Sequence, residues 1–197
     1  MKWFLFLAAL AMPAIVDAAT LTIGVRGADG KPLDGAVLIV DAPVRPAGPI
    51  RFPWAYVMAQ QGISFRPHVL IVPVGATVTF PNHDAIRHHV YSFSRPKTFE
   101  LKLYGRDETR SVTFDKPGLI ALGCNIHDMM NGFIWVVDTP YAAQTDAGGM
   151  VVINGVPAGA VTLRLWHPSI RAPGNILTQA ATIPAAGFKT VLSVHAR

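Results

Sequence analysis

The stretch GCNIHDMMNGFIWVV, residues 123–137, decides how this chain is read. Phe133 to Val137 is a continuous run of aromatic and branched apolar residues, which predicts a central strand buried on both faces. Directly ahead of it, Cys124, His127 and the pair Met129-Met130 share one short loop. Singly these residues say little: a lone cysteine is usually a small buried hydrophobe, and a lone methionine before a strand usually belongs to the core. Cys-x-x-His-x-x-Met entering an apolar strand is a far more specific pattern, because it brings a thiolate, an imidazole and a thioether to one end of a sheet.

Outward from this stretch, almost every segment reads as β-structure. Leu21, Ile23 and Val25 alternate with small or polar residues, and Val161, Leu163 and Leu165 alternate with Thr162 and Arg164. Residues 36–40, 74–80, 111–114 and 191–194 are further strand-like runs, and Asp29-Gly30 and Lys116-Pro117-Gly118 mark turns. Long helical periodicity is missing, so the crossover helices of a parallel α/β fold have no place. Short strands between Gly/Pro turns predict an all-β molecule made of sandwiches.

Composition sets the outer limits. The chain has 197 residues, 51% hydrophobic and 15% charged, which suits one large domain or two small ones and excludes disorder. The net charge is +5, but the basic residues are scattered, which argues against nucleic-acid binding. Met1-Lys2, the apolar run 3–15 and the small residues 16–19 read as a secretory signal cut after Ala18 or Ala19. Residues 1–19 are therefore expected to direct export to the periplasm, leaving a mature chain with no membrane span. An exported chain often carries disulfides, yet Cys124 is the sole cysteine. It is a spectator, a reactive thiol or a metal ligand.

A second segment, FPNHDAIRHHV at residues 80–90, lies upstream. A thiolate, two imidazoles and a weak thioether together suit copper in both oxidation states, and a trigonal His₂Cys set with a long axial Met is the blue-copper arrangement. The loop supplies three of these ligands, and a histidine at the strand end near residue 88 supplies the fourth. His88 and His89 are adjacent, so on a strand they face opposite ways and only one can point at a given ion. Met129 and Met130 pose the same choice. His83 and Asp84, in the loop before, read as a solvated loop rather than a second metal pair. His68, His167 and His195 are isolated.

At these residues the chain resembles the cupredoxin family. The loop is most similar to that of the amicyanins, where two residues separate the loop histidine from the axial methionine. VLIVPVG at residues 69–75, followed by Val78-Thr79-Phe80-Pro81-Asn82, resembles the family's strand leading to its first histidine. The likeness covers roughly residues 65–137, and the wider string is similar to bacterial plastocyanin-like proteins called methylamine-utilisation proteins. The resemblance implies one type 1 copper ion held by His88, Cys124, His127 and Met130. Two positions depart from the family: His89 stands where asparagine is common, and Gly123 where an aromatic residue is common. Both touch the tuning of the site rather than copper binding.

The outer fragments resemble something else. RGADGKPLDGA (26–36) and TDAGGMVVINGVPAGAVTLRL (145–165) are similar to the two halves of a carboxypeptidase-regulatory-like, Ig-like sandwich. Pro43, Pro46, Pro49 and Pro53 make a stiff connector, and Asp138-Thr139-Pro140 a second exit. The expected organisation is a cupredoxin Greek-key sandwich at 42–138 inserted in a smaller sandwich made from 20–41 and 139–197. The inserted unit, about residues 50–139, is expected to fold alone.

No nucleophile–base or carboxylate pair is readable, so the expected function is not enzymatic. The resemblance implies one-electron transfer through the His127 edge, with a c-type cytochrome or a periplasmic dehydrogenase as partner. Ile126, Met129 and Phe133, with the uncharged Met130 beside them, are expected to form an apolar docking patch. The alternative is a periplasmic copper carrier or sensor.

Overall fold

The structure, a computed structural model, describes residues 18–196. Residues 1–17 of the expected export signal lie outside the described residues. The chain runs through β1 (Ala18–Gly27), β2 (Val37–Asp41), β3 (Ala59–Gln60), β4 (Phe65–Arg66), β5 (Val69–Pro73) and β6 (Ala76–Pro81). Next come β7 (His88–Ser94), β8 (Lys97–Tyr104), β9 (Thr109–Phe114), β10 (Gly118–Cys124) and β11 (Asn131–Val137). The rest is β12 (Ala142–Gln144), β13 (Met150–Pro157), β14 (Gly159–Trp166), β15 (Ile176–Ile183) and β16 (Phe188–Val194). The protein is all-β. No helix among the described residues is long and apolar enough to cross a membrane.

Five sheets form two sandwiches, each around its own core. β5-β11-β10-β7-β8 form one five-stranded sheet, faced by β6-β9 and the small β3-β4 pair. The parallel bridges Val57–Thr79 and Gln60–Asn82 tie the segment around β3 to β6 and the residue that follows it. Between these layers lie Leu70, Val72, Val78, Phe80, Val90, Phe114, Ile120 and Ile134, all buried. In the other half, β13-β1-β16 faces β12-β2-β14-β15. The alternation of β1 puts Leu21, Ile23 and Val25 inside, against Leu38, Val40, Leu163 and Leu165. β1 pairs with β13 and β16, and β2 with β12 and β14. Ala18 and Ala19 are the first residues of β1, and Ala19 is buried opposite Val156. A cut after Ala18 leaves that residue in the sheet, and a cut after Ala19 removes it.

The two halves share a third apolar layer. The apolar run of β11 is buried on both faces because Ile134 and Val136 enter one core while Trp135 and Val137 turn to the back. There they meet Val37, Ile39, Ala142 and Trp166 from the outer face of the β2 sheet. Trp166 packs edge-on to Phe133 and Trp135, with centroids 5.0 and 6.0 Å apart. The chain enters and leaves the five-stranded half side by side, because Arg45 donates to the backbone oxygen of Asp138 (2.7 Å) and to its carboxylate (2.9 Å).

Candidate metal centre

β7 and the β10–β11 loop bring three donor groups to one end of the five-stranded sheet. β10 pairs with β7 only through Gly123–Tyr91 and Cys124–Val90, so the start of β7 lies beside the end of β10. His88 Nδ1 is 3.8 Å from Cys124 Sγ, and His127 Nδ1 is 3.6 Å from the same sulfur. The three donor atoms lie within 4.8 Å of one another, and this trio is the one His/Cys/Asp/Glu group of its kind among the described residues. Bonds of about 2.0–2.3 Å from imidazole nitrogen and thiolate to a first-row metal, spread trigonally, separate the donors by about 3.5–3.8 Å. The observed separations fit a mononuclear ion.

The two adjacent pairs divide cleanly. The His88 side chain is fully buried in the cluster, whereas His89 turns to Glu100, 2.8 Å away. A register shift between His88 and Val90 on the β7–β8 edge sets these directions. Met130 is buried in the sandwich core together with Cys124, and its N–H bonds the carbonyl of His127 (2.9 Å), closing the loop as a tight turn. Met129 is 88% exposed. The Cys124 N–H is held by the Met130 carbonyl (3.2 Å) and the Asn125 N–H by that of His89 (3.1 Å), so the loop is tied to both flanking strands.

The glycine before Cys124 has a packing reason. The Tyr91 ring covers Gly123 so closely that a Cβ there would sit 2.7 Å from a ring carbon. An aromatic side chain at that place is thus supplied from the neighbouring strand.

Three expectations need correction. Phe133 is not part of the docking edge: its ring lies between His68 (5.5 Å) and Trp166 (5.0 Å), at the shared layer, because the pleat of β11 aims it backwards. Met130, being buried, adds nothing to that surface, which instead shows Ile126 and Met129 with the exposed Asp128 between them. Asp84 turns inward from a loop whose other residues, His83 and 85–87, are exposed. Its side chain is only 14% exposed, and one carboxylate oxygen lies 2.8 Å from His88 Nε2. The same carboxylate accepts the N–H of Gly62 (2.7 Å) and of Ile63 (3.0 Å). Burial works to raise the pKa of this group, but the Ile63 N–H, the His88 ring and the Gly62 N–H outweigh it and hold it below the ordinary carboxylate range. His83 beside it is exposed. The sequence pointed to Asp84 only by its place four residues before His88.

Behind the donors lies a polar network. Tyr104, opposite His88 on β8, donates to the Phe80 carbonyl (2.9 Å) and receives the Gln60 amide. Burial pushes its phenol up to about 12. Asn82 is fully buried, and its amide bonds the carbonyls of Ile86 (2.8 Å) and Tyr104 (3.2 Å).

A five-stranded sheet facing a smaller one, with a strand-end histidine and a Cys–His loop meeting at one edge, makes this half of the chain cupredoxin-like. No family model and no curated protein sequence matches the chain. Among solved structures, a Cu-containing nitrite reductase from Thermus scotoductus SA-01 is 33% identical over 49% of this chain, with a TM-score of 0.40. The match spans 25% of the reductase's own length. A purple cupredoxin from Nitrosopumilus maritimus is 22% identical, covering 41% of this chain and 96% of its own, with a TM-score of 0.37. A reduced single-residue variant of amicyanin is 24% identical, covering 51% and 98%, with a TM-score of 0.39.

Proposed function

We propose that this chain is an exported protein that carries single electrons through one type 1 copper ion. The observation that carries the reading is the triangle of His88 Nδ1, His127 Nδ1 and Cys124 Sγ, with Met130 buried at the end of the same loop. His88, Cys124 and His127 would hold the ion, and Met130 would be the axial thioether. Bound there, copper would supply a one-electron couple whose two states both accept this mixed ligand set. Cys124 is buried and the loop is bonded on both sides, so the protein holds the donors in place instead of rearranging them.

His127 is half-buried between two exposed apolar residues, Ile126 and Met129, and is the ligand nearest solvent. A small apolar rim suits the brief, weak docking that redox partners use. A soluble c-type cytochrome or a periplasmic dehydrogenase is the proposed partner. Residues 42–138 are proposed to be an insertion in a host sandwich of 20–41 and 139–197, a reading supported by the pairing of β1 and β2 with the C-terminal strands.

The test is spectroscopic. The protein loaded with copper(II) should show one copper per chain and an intense visible thiolate-to-copper band, bleached reversibly by one electron. Cys124→Ser should abolish the band. A variant that stays equally blue sinks the assignment. Reduced protein that surrenders its copper to a chelator within minutes, while leaving cytochrome unreduced, would make it a carrier instead.

A further inference from the structure

We propose that Asp84 is a positioning residue of the metal centre: it fixes the proton of His88 on Nε2 and makes Nδ1 a stronger donor, lowering the reduction potential. The inference rests on the copper reading above. An ionised carboxylate can only accept hydrogen bonds, so at 2.8 Å the proton between Asp84 and His88 belongs to Nε2. That leaves the lone pair on Nδ1, the atom that faces Cys124 Sγ. A ligand histidine whose second nitrogen donates to a carboxylate is oriented and made more basic. A more basic donor with a negative charge behind it favours the more highly charged oxidation state of the ion.

The carboxylate is itself fixed. Gly62 and Ile63 both lie in the left-handed region, at φ 66° and 53°, and their successive N–H groups converge on it. Ile63 is branched at Cβ, so this conformation is strained. The Asp84 N–H bonds the side-chain oxygen of the buried Asn82 (2.9 Å), closing the other side. One oxygen serves Gly62, and the other serves both Ile63 and His88. An asparagine has a single acceptor oxygen and cannot replace both.

The experiment uses the full mature chain and compares Asp84→Asn and Asp84→Ala with wild type. The readouts are the ring ¹⁵N shifts of His88 in metal-free protein and the midpoint potential of copper-loaded protein. In wild type the Nε2–H tautomer should dominate; in both variants the tautomers should mix. Copper(II) affinity should fall about 10- to 100-fold, and copper(I) affinity by less. A tenfold difference between the two losses raises the potential by about 59 mV.

A merely structural role in holding the 62–63 turn is separated by adding Ile63→Gly, which relieves the strained backbone. The potential should stay raised in Asp84→Ala/Ile63→Gly, and its return to the wild-type value would overturn the proposal. An unchanged tautomer with an unchanged potential in Asp84→Asn would also overturn it, while leaving the blue site standing. A wild type without a blue band would sink the copper reading instead, and the metal-free ¹⁵N shifts would still decide the Asp84–His88 link.

Discussion

The two cores of this molecule are built differently. Between β1 and the β2 sheet the enclosed side chains are aliphatic, with the Tyr141 ring among them. The core under the five-stranded sheet is as dry along most of its length, but its end holds Gln60, Asn82, His88, Cys124 and Tyr104 at 4% exposure or less. Gln60 even keeps a buried oxygen without a partner. Buried polar groups cost stability unless every one is bonded. The first core is built for cohesion. The second gives up cohesion at one end to hold two imidazoles and a cysteine sulfur in fixed positions.

Substitutions can put that contrast to the test. The largest effect is expected from the layer both halves share. Trp135→Ala should cost about 3–5 kcal/mol, since it empties a ring-sized space against Trp166. The shared layer argues against the expectation that the inserted unit folds alone: an excised fragment of residues 42–138 should aggregate, because Val69, Ile71, Trp135 and Val137 would face water. Chemical denaturation and light scattering check both, and a monomeric, copper-binding fragment would show that the halves are independent after all.

Next comes the aliphatic core. Leu163→Ala should cost about 2–5 kcal/mol while leaving the visible band of the folded protein unchanged. A shifted band would mean that the host core sets the geometry of the donors.

The methionine pair should give a smaller and purely electronic difference. Met130→Leu should keep copper but move the potential and the spectrum, whereas Met129→Leu should move neither. The reverse result would assign the axial position to the exposed residue.

Smallest of all, Met129→Lys or Ile126→Asp should leave the band intact and slow electron exchange with a cytochrome by a fewfold, measured by stopped flow. Unchanged rates in both would place docking elsewhere.

Much of this was readable in the chain. β1, β14 and the two-faced β11 follow from alternation and from one unbroken apolar run, since each side chain there reports the face it occupies. β8, β10 and β15 were harder. β8 and β15 are edge strands with many exposed side chains, and β10 carries glycines at Gly118 and Gly123. The donor types of the candidate site were legible because Cys124, His127 and the methionines are local in sequence. Which member of His88-His89 turns inward was not, because the register shift on the β7–β8 edge depends on pairing with a strand ten or more residues away. Asp84 was misread for the same reason. The N–H groups that hold it come from Gly62 and Ile63, and only the folded chain brings them together.

The apolar layer between the halves has a calorimetric consequence. Sheets that share a buried apolar layer melt together, so heating should give one transition rather than two. A ligand that binds only the folded state raises the stability of whatever unfolds with it. Metal taken up beside Cys124 should therefore delay the melting of β1 and β16, at the far side of the chain's other sandwich, although His88, Cys124 and His127 all belong to the other half.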